Sequence, residues 1–246
     1  MKIKTALKAA ALATTLAFAG ASHAAIDIPL KDSGQVLETG VGGSMFSGMS
    51  NQPVETYNVT DSSLAAAILA FCVEPLVTQK VGAVYTQQAA VSSVSSISLF
   101  SSLGTERANR IQALFEQNYG NLNSSADRLG FALALWDLVG DDGNLSSGIQ
   151  HFTGDAFGFS MDDGGMIDLV ATQAMLDATA GATLHNTYKY TLFTGSTDGG
   201  ITNDSQALLS VSAVPEADTW AMMVVGLGLV GFMGRRKSNQ SEKFAA

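Results

Sequence analysis

The sequence predicts one α+β domain between two apolar terminal segments. Segments in which apolar and polar residues alternate, as they do in strands, occur on both sides of a central region. That central region, from about residue 105 to 139, carries apolar residues at helical spacings of three and four. The order of strands, two helices, strands, one helix and strands indicates β-sandwich or barrel-like strands with an inserted helical layer.

The first part of the domain, from Ala25 to about Thr60, is rich in glycine, serine, threonine and valine and is predicted to form short strands and turns. Leu64 to Val73 is apolar, and its last part, Leu69 to Glu74, is predicted as a strand that Pro75 closes. The Ser-, Val- and Gln-rich residues 77 to 102 are predicted to be β or extended.

Two helices are predicted in the centre of the chain. The first begins with Thr105 as its N-cap, and Gly120 stops it after Tyr119. A second helix, capped by Ser124 or Ser125, runs to about Val139. It carries an apolar stripe formed by Leu129, Leu133 and Trp136.

The last third of the domain is predicted to return to strands. Residues 149 to 161 alternate, and a third helix is predicted from Ile167 to Thr179, ended by Gly181. Two late strands, Tyr188 to Thr194 and Gln206 to Ser212, flank a polar loop.

The N-terminus has the composition of a secretory signal peptide. Three lysines within the first eight residues precede an apolar stretch from Ala9 to about Ala21. Ser22-His23-Ala24 is a small-x-small cleavage site, so Ala25 is the expected new N-terminus. These features predict that residues 1 to 24 form a signal helix that directs export across the inner membrane.

The C-terminal region, residues 214 to 237, has three ordered parts. Val214-Pro215-Glu216 begins a short turn, and Trp220 to Gly234 is an apolar run without charge. Arg235, Arg236 and Lys237 follow it, which predicts that this end stays cytoplasmic while the domain lies outside. The run is shorter than the roughly 20 residues of a robust transmembrane helix, and four glycines weaken it. We therefore expect a C-terminal transmembrane helix that acts as a transient membrane stop rather than a permanent span.

This order of Pro-Glu, apolar run and basic cluster resembles the PEP-CTERM signal of Gram-negative bacteria that secrete exopolysaccharide. The resemblance implies recognition and cleavage by a membrane-embedded protease of the exosortase type. Pro215 and Glu216 match the motif, whereas its third position, usually proline, is Ala217.

Between residues 25 and 213 the chain has six basic and 19 acidic residues, a net charge of −13. This charge argues against nucleic acid as a partner, favours solubility and is compatible with cations. With Cys72 as its one cysteine, the domain forms no internal disulfide and must depend on its hydrophobic core.

Residues 60 to 140 resemble bacterial thioester domains through two short motifs, Phe-Cys-Val-Glu around Cys72 and Leu-Ala-Leu-Trp-Asp around Trp136. In that family a cysteine and a glutamine, four residues before the helical tryptophan, form an internal thioester. Ala132 occupies the glutamine position, so the resemblance implies a thioester-type fold that has lost the bond. Gln112 and Gln117, on the preceding predicted helix, would require a rearranged site.

Three acidic turns contain the oxygen donors that calcium prefers: residues 141–144, 162–165 and 198–200. None has the alternating spacing of an EF-hand loop, so calcium is kept only as an alternative to ordinary turns. His151 and His185 lack a partner at helical spacing, and no G-x-S-x-G motif occurs, so we predict no metal ligands and no catalytic residues.

These features together predict a non-enzymatic protein that leaves through the secretion machinery, is held transiently at the inner membrane and ends at the outer surface or outside the cell. The predicted parts are residues 1–24, 25–213, 214–237 and a short cytoplasmic tail at 238–246. A role in an exopolysaccharide matrix, biofilm or adhesion is expected, with extracellular polysaccharide as a candidate partner. The alternatives are a covalent adhesin or hydrolase that uses Cys72, and a calcium-stabilised carbohydrate-binding module.

Overall fold

The computed structural model describes residues 26, 28–37, 51–60, 67–75, 77–147, 156–159, 165–198, 202–214, 225 and 227. The predicted signal helix and cleavage site at Ala24 and Ala25 lie outside these residues. So do the turn at Pro215-Glu216, the flanking Trp220, Arg235, Arg236 and Lys237, and most of the predicted transmembrane segment. Within the described residues, every helix is too short or too polar for a membrane span.

The described strands are β1 (Leu30–Leu37), β2 (Asn51–Val59), β3 (Ile68–Cys72), β4 (Val84–Gln87), β5 (Ala156–Phe159), β6 (Gly165–Met166), β7 (Tyr188–Ser196) and β8 (Ser205–Ala213). The helices are α1 (Thr105–Asn118), α2 (Ser125–Gly140) and α3 (Leu169–Thr179). Short 3-10 helices span Val94–Ser96, Ser98–Leu103 and Tyr119–Asn121. The mixture of strands and helices confirms the α+β class.

All eight described strands belong to one antiparallel sheet, in the order β4-β7-β8-β3-β2-β1-β5-β6. Six of them form the body of the sheet, and the short β5 and β6 extend one edge. The sequence predicted sandwich or barrel-like strands, but the described strands form one open sheet rather than two. The helices cover one face of it and supply the apolar partner that a second sheet would provide in a sandwich.

The hydrophobic core lies between the sheet and the helices. Phe71 of β3 packs against Phe131 of α2, with ring centroids 4.6 Å apart, and against Phe115 of α1 at 6.1 Å. Phe115 in turn contacts Tyr190 of β7 at 5.8 Å. The pairs of Phe115 with Phe71 and with Tyr190 are edge to face, an arrangement that adds about 0.5–1.5 kcal/mol beyond the burial of area. The central strands and the first two helices are thereby joined through one aromatic cluster.

A buried ion pair ties α2 to the first two strands. The Arg128 guanidinium donates to both carboxylate oxygens of Asp32, at 2.6 and 2.9 Å, and the Thr56 hydroxyl donates to the same carboxylate at 2.7 Å. Burial opposes ionisation of Asp32, but the hydrogen bonds from Arg128 and Thr56 outweigh it and lower the pKa of the carboxyl. The pair therefore fixes the position of the helical layer over β1 and β2.

The helix boundaries lie close to the predicted ones. Ser124 caps α2 through a capping box, in which its hydroxyl accepts from the Asp127 N–H and the Asp127 carboxylate accepts from the Ser124 N–H. Thr105 is the first residue of α1, and its N-cap is Gly104 with a positive φ, not Thr105 as predicted. Asp168 caps α3, whose last residue is Thr179; Ala180 is its C-cap and precedes Gly181.

The serine-rich segment departs from its prediction. Beyond β4 it forms 3-10 helices at residues 94–96 and 98–103, where extended chain was expected. Val94, Ile97 and Phe100 are buried at intervals of three, while the intervening serines at 95, 96 and 98 are exposed. A spacing of three suits a 3-10 helix, in which residues i and i+3 lie one above the other.

Candidate functional site

Cys72 ends β3 in the interior of the sheet, between β2 and β8. Its exposed fraction is 1%, and burial raises the pKa of the thiol far above its ordinary value. A thiol that is both inaccessible and protonated is a poor nucleophile, because the thiolate is the reactive form. In this conformation Cys72 behaves as a small apolar core residue.

The structure brings together the two motifs that resemble thioester domains. The Trp136 indole N–H donates to the Cys72 carbonyl oxygen at 3.2 Å, across 64 positions in the chain. Ala132, one helical turn before Trp136, is fully buried. Its methyl side chain has no carboxamide that could acylate Cys72, so no acyl donor stands at the position of that family's glutamine.

The two glutamines of α1 have other partners. The Gln112 side chain accepts from the Val94 N–H at 3.3 Å and donates to Glu116 and Asn186. The Gln117 amide donates to the Ala178 carbonyl oxygen at 3.2 Å. Both amides tie α1 to neighbouring segments rather than to β3.

Sequence reasoning missed the polar residues on the Cys72 side of the sheet. Cys72 pairs with Leu208 of β8, so the two-residue period places Gln206 on the same face. The Tyr57 hydroxyl donates to the Glu55 carboxylate and, at 3.3 Å, to the Gln206 side-chain oxygen. The Tyr85 hydroxyl donates to the Gln206 carbonyl oxygen at 3.1 Å. The two-residue period of β2 places Glu55 and Tyr57 on one face, and this is the only sequence signal for the cluster. Gln206, the partner of Tyr57, lies about 150 residues away in the sequence.

Asp137 follows Trp136 and is a buried carboxyl group with a raised pKa. One carboxylate oxygen accepts from the Gly143 N–H at 2.6 Å, and the other, Oδ2, is buried and has no hydrogen-bond partner in the described part of the chain. Burial, with Asp141 and Asp142 nearby, raises the pKa of Asp137 to about 7 despite the Gly143 bond. This carboxyl therefore closes the turn after α2 and holds its proton well above the ordinary pKa of aspartate.

The acidic turns satisfy their carboxylates with protein donors. In the β7–β8 loop, Asp198 accepts from the Thr202 N–H and hydroxyl at 3.0 and 2.7 Å. Asp204 accepts from Thr197 and from Lys80, and these hydrogen bonds lower the pKa of its carboxyl to about 2. Of the residues that the structure describes, no three of His, Cys, Asp or Glu are arranged to hold a metal ion. The turn at 162–164 and His151 lie outside the described residues.

The sorting motif begins where the sheet ends. Ala213, the last residue of β8, pairs with Tyr188 of β7, and the Val214 N–H donates to the Thr187 carbonyl oxygen at 2.9 Å. Pro215 follows immediately in the sequence. No linker therefore separates Pro215 from the hydrogen-bonded sheet.

Comparison with known proteins identifies this segment. Residues 213–237 match the family model of the PEP-CTERM protein-sorting motif. No curated protein and no solved structure matches the chain. The match confirms the resemblance drawn from Pro215, Glu216 and the residues after them, and supports the identification of this chain as an exported protein that is sorted by an exosortase.

Proposed function

We propose that the chain is a non-enzymatic envelope or extracellular-matrix protein that acts in an exopolysaccharide matrix, a biofilm or adhesion. The observation that carries the proposal is the sorting motif at residues 213–237, joined directly to a folded acidic domain. In this scheme the signal peptide exports the chain, the tail holds it in the inner membrane, and an exosortase releases it. The net charge of −13 between residues 25 and 213 keeps the released domain soluble.

The sorting step is tested by replacing Pro215 and Glu216 together with alanine in a strain that contains the exosortase. We expect the wild-type protein to lose its tail and leave the membrane fraction, whereas P215A/E216A keeps the tail and stays there. The matched control is Ala217→Pro, which restores the usual third residue of the motif and should be processed at least as well as the wild type. A mature wild-type protein whose mass still includes Ala246 would refute cleavage.

The contact between Trp136 and Cys72 supports a second proposal, that the domain is a thioester-type fold without an acyl donor. Intact mass of the exported protein tests it directly, because closing a Cys–Gln thioester expels one molecule of ammonia. We expect no such loss and no incorporation of methylamine. Loss of ammonia would instead favour the covalent adhesin, and Cys72→Ser would then abolish attachment to cells or matrix.

Calcium-dependent carbohydrate binding remains an alternative, and titration with calcium tests it. A rise in melting temperature with calcium, together with binding on a glycan array that a chelator abolishes, would favour such a module over the matrix role proposed here. We expect neither, because the described acidic turns already bond their carboxylates internally.

A further inference from the structure

One end of the sheet gathers the segments that lie nearest to the tail. We call it the terminal end and define it as residues 119–121, 186–189 and 212–214. Tyr119 and Tyr188 stack edge to face with centroids 5.6 Å apart, and Tyr188 pairs with Ala213. The described residues of the loop that joins β7 and β8, 197, 198 and 202–204, lie at the other end of the same strands. At about 3.3 Å per residue, the nine residues of β7 separate the two ends by about 25 Å.

The tether between the terminal end and the apolar run is short. Five residues separate Val214 from Trp220, so the two Cα atoms are at most about 20 Å apart even in a fully extended chain. A domain of this length has a radius of gyration of about 16 Å. A tether no longer than this cannot let the domain turn over freely above the bilayer, so the terminal end must be the end that approaches the membrane.

The charges of the domain fit this orientation. The exposed residues of the terminal end are neutral, except for the basic Lys189: Gly120, Asn121, Asn186, Thr187, Ser212 and Ala213. The neighbouring Glu116 carboxylate accepts from the N–H groups of His185 and Asn186 at 2.6 and 2.8 Å. At the opposite end, by contrast, the loop carries two carboxylates, those of Asp198 and Asp204. For a domain of charge −13, this distribution keeps negative charge away from an anionic surface.

We propose that, in the membrane-anchored precursor, the terminal end of the sheet rests against the lipid headgroup layer. The proposal rests on the proposed function, because it requires the tail to hold the precursor in the membrane. The partner of the terminal end is the bilayer surface. It contacts a neutral surface that is rich in Asn and Thr and carries one lysine. The sorting motif is thereby presented to its protease at the level of the headgroups, beside a folded sheet.

Two matched variants test the orientation: Asn121→Cys at the terminal end and Asn203→Cys in the β7–β8 loop. Both positions are exposed, and the native Cys72 is buried, so a maleimide fluorophore labels the introduced cysteine. The full-length precursor is reconstituted, without protease, into vesicles of phosphatidylethanolamine and phosphatidylglycerol that contain a headgroup-linked quencher. We expect several-fold stronger quenching at position 121 than at position 203.

A flexible Gly-Ser insert of about twelve residues between Ala213 and Val214 is the control. It frees the domain from the short tether, so the difference in quenching between the two positions should shrink while the precursor still floats with the vesicles.

Equal quenching without the insert, in a precursor that floats, would overturn the docking proposal alone. A difference that arises only when the exosortase is added would overturn it too, and would indicate docking on the protease. A precursor that does not float would refute anchoring, and with it the proposed function.

Discussion

At the scale of single residues, burial and charge conflict at Asp137, because burial opposes the ionisation of its carboxyl group. Its carboxylate lies at the C-terminal end of α2, where the helix dipole also disfavours negative charge, and its Oδ2 has no hydrogen-bond partner among the described residues. Ionisation of this group is therefore costly in the folded protein, whereas in the unfolded chain it is not. The conflict makes the free energy of unfolding depend on pH.

The sign of that dependence follows from the raised pKa. Between the ordinary value of 3.8 and about 7, the folded protein holds a proton that the unfolded chain has lost, so stability falls as the pH rises through this range. Asp137→Asn removes the titration. We expect the free energy of unfolding of D137N, relative to the wild type, to rise by a few kcal/mol between pH 4 and pH 8, because one proton contributes about 1.4 kcal/mol per pH unit across this range.

Urea unfolding at several pH values measures this difference. The matched control is Asp142→Asn, at an exposed position in the same turn whose carboxylate Oδ1 accepts from the Asn144 N–H. Removing this neighbouring negative charge relieves only part of the cost of ionising Asp137, so the pH dependence of D142N should be weaker than that of D137N. A D137N protein whose relative stability does not change with pH would show that Asp137 is ionised in the folded state without cost.

The sequence could not reveal this conflict. The Asp137 side chain looks like the polar end of an amphipathic helix, and only the folded turn at Gly143 shows that it is enclosed. The same holds for Asp32 and Arg128, which are 96 residues apart and meet only when α2 packs on β1. Cys72 and Trp136 were singled out from their motifs, and the structure shows their contact but no carboxamide at position 132.

At the scale of elements, local signals predicted the helices well because their ends depend on nearby residues. Ser124 and Asp127 form the capping box of α2 within four residues of chain. The strands were also found in nearly the right places. The pairing of the strands was not predicted, because the partner of a strand depends on distant residues. For example, β3 pairs with β8, more than 130 residues further along the chain. Periodicity therefore could not decide whether the strands form one sheet or two.

The capping box yields a prediction for α2. Ser124→Ala removes the hydroxyl that accepts from the Asp127 N–H at 3.1 Å, and should lower the free energy of unfolding by about 1 kcal/mol. Ser124→Thr keeps a hydroxyl and should cost less. Chemical denaturation of the two variants beside the wild type measures both effects. Equal losses would indicate that packing around Ser124, rather than its cap, stabilises the start of α2.

At the scale of the whole molecule, Cys72 reports on unfolding. It lies in an interior strand with 1% of its surface exposed, so local fraying at the sheet edges does not uncover it. We expect labelling of the thiol by a maleimide to appear in urea together with the change in tryptophan fluorescence, in one transition. Labelling at urea concentrations well below that transition would reveal a partly open state in which β3 is exposed.

The hydrogen bond between Val214 and Thr187 has a mechanical consequence. The tail continues from β8, which lies inside the sheet and is bonded to β7 on one side and to β3 on the other. A pull on the tail acts along β8, nearly perpendicular to these hydrogen bonds, since antiparallel ladders run across the strands. The hydrogen bonds of β8 with β7 and with β3 are then loaded together in shear, and they do not break one at a time. A domain held by its tail while fluid or a polymer network drags on it thus resists force through its own interior strand.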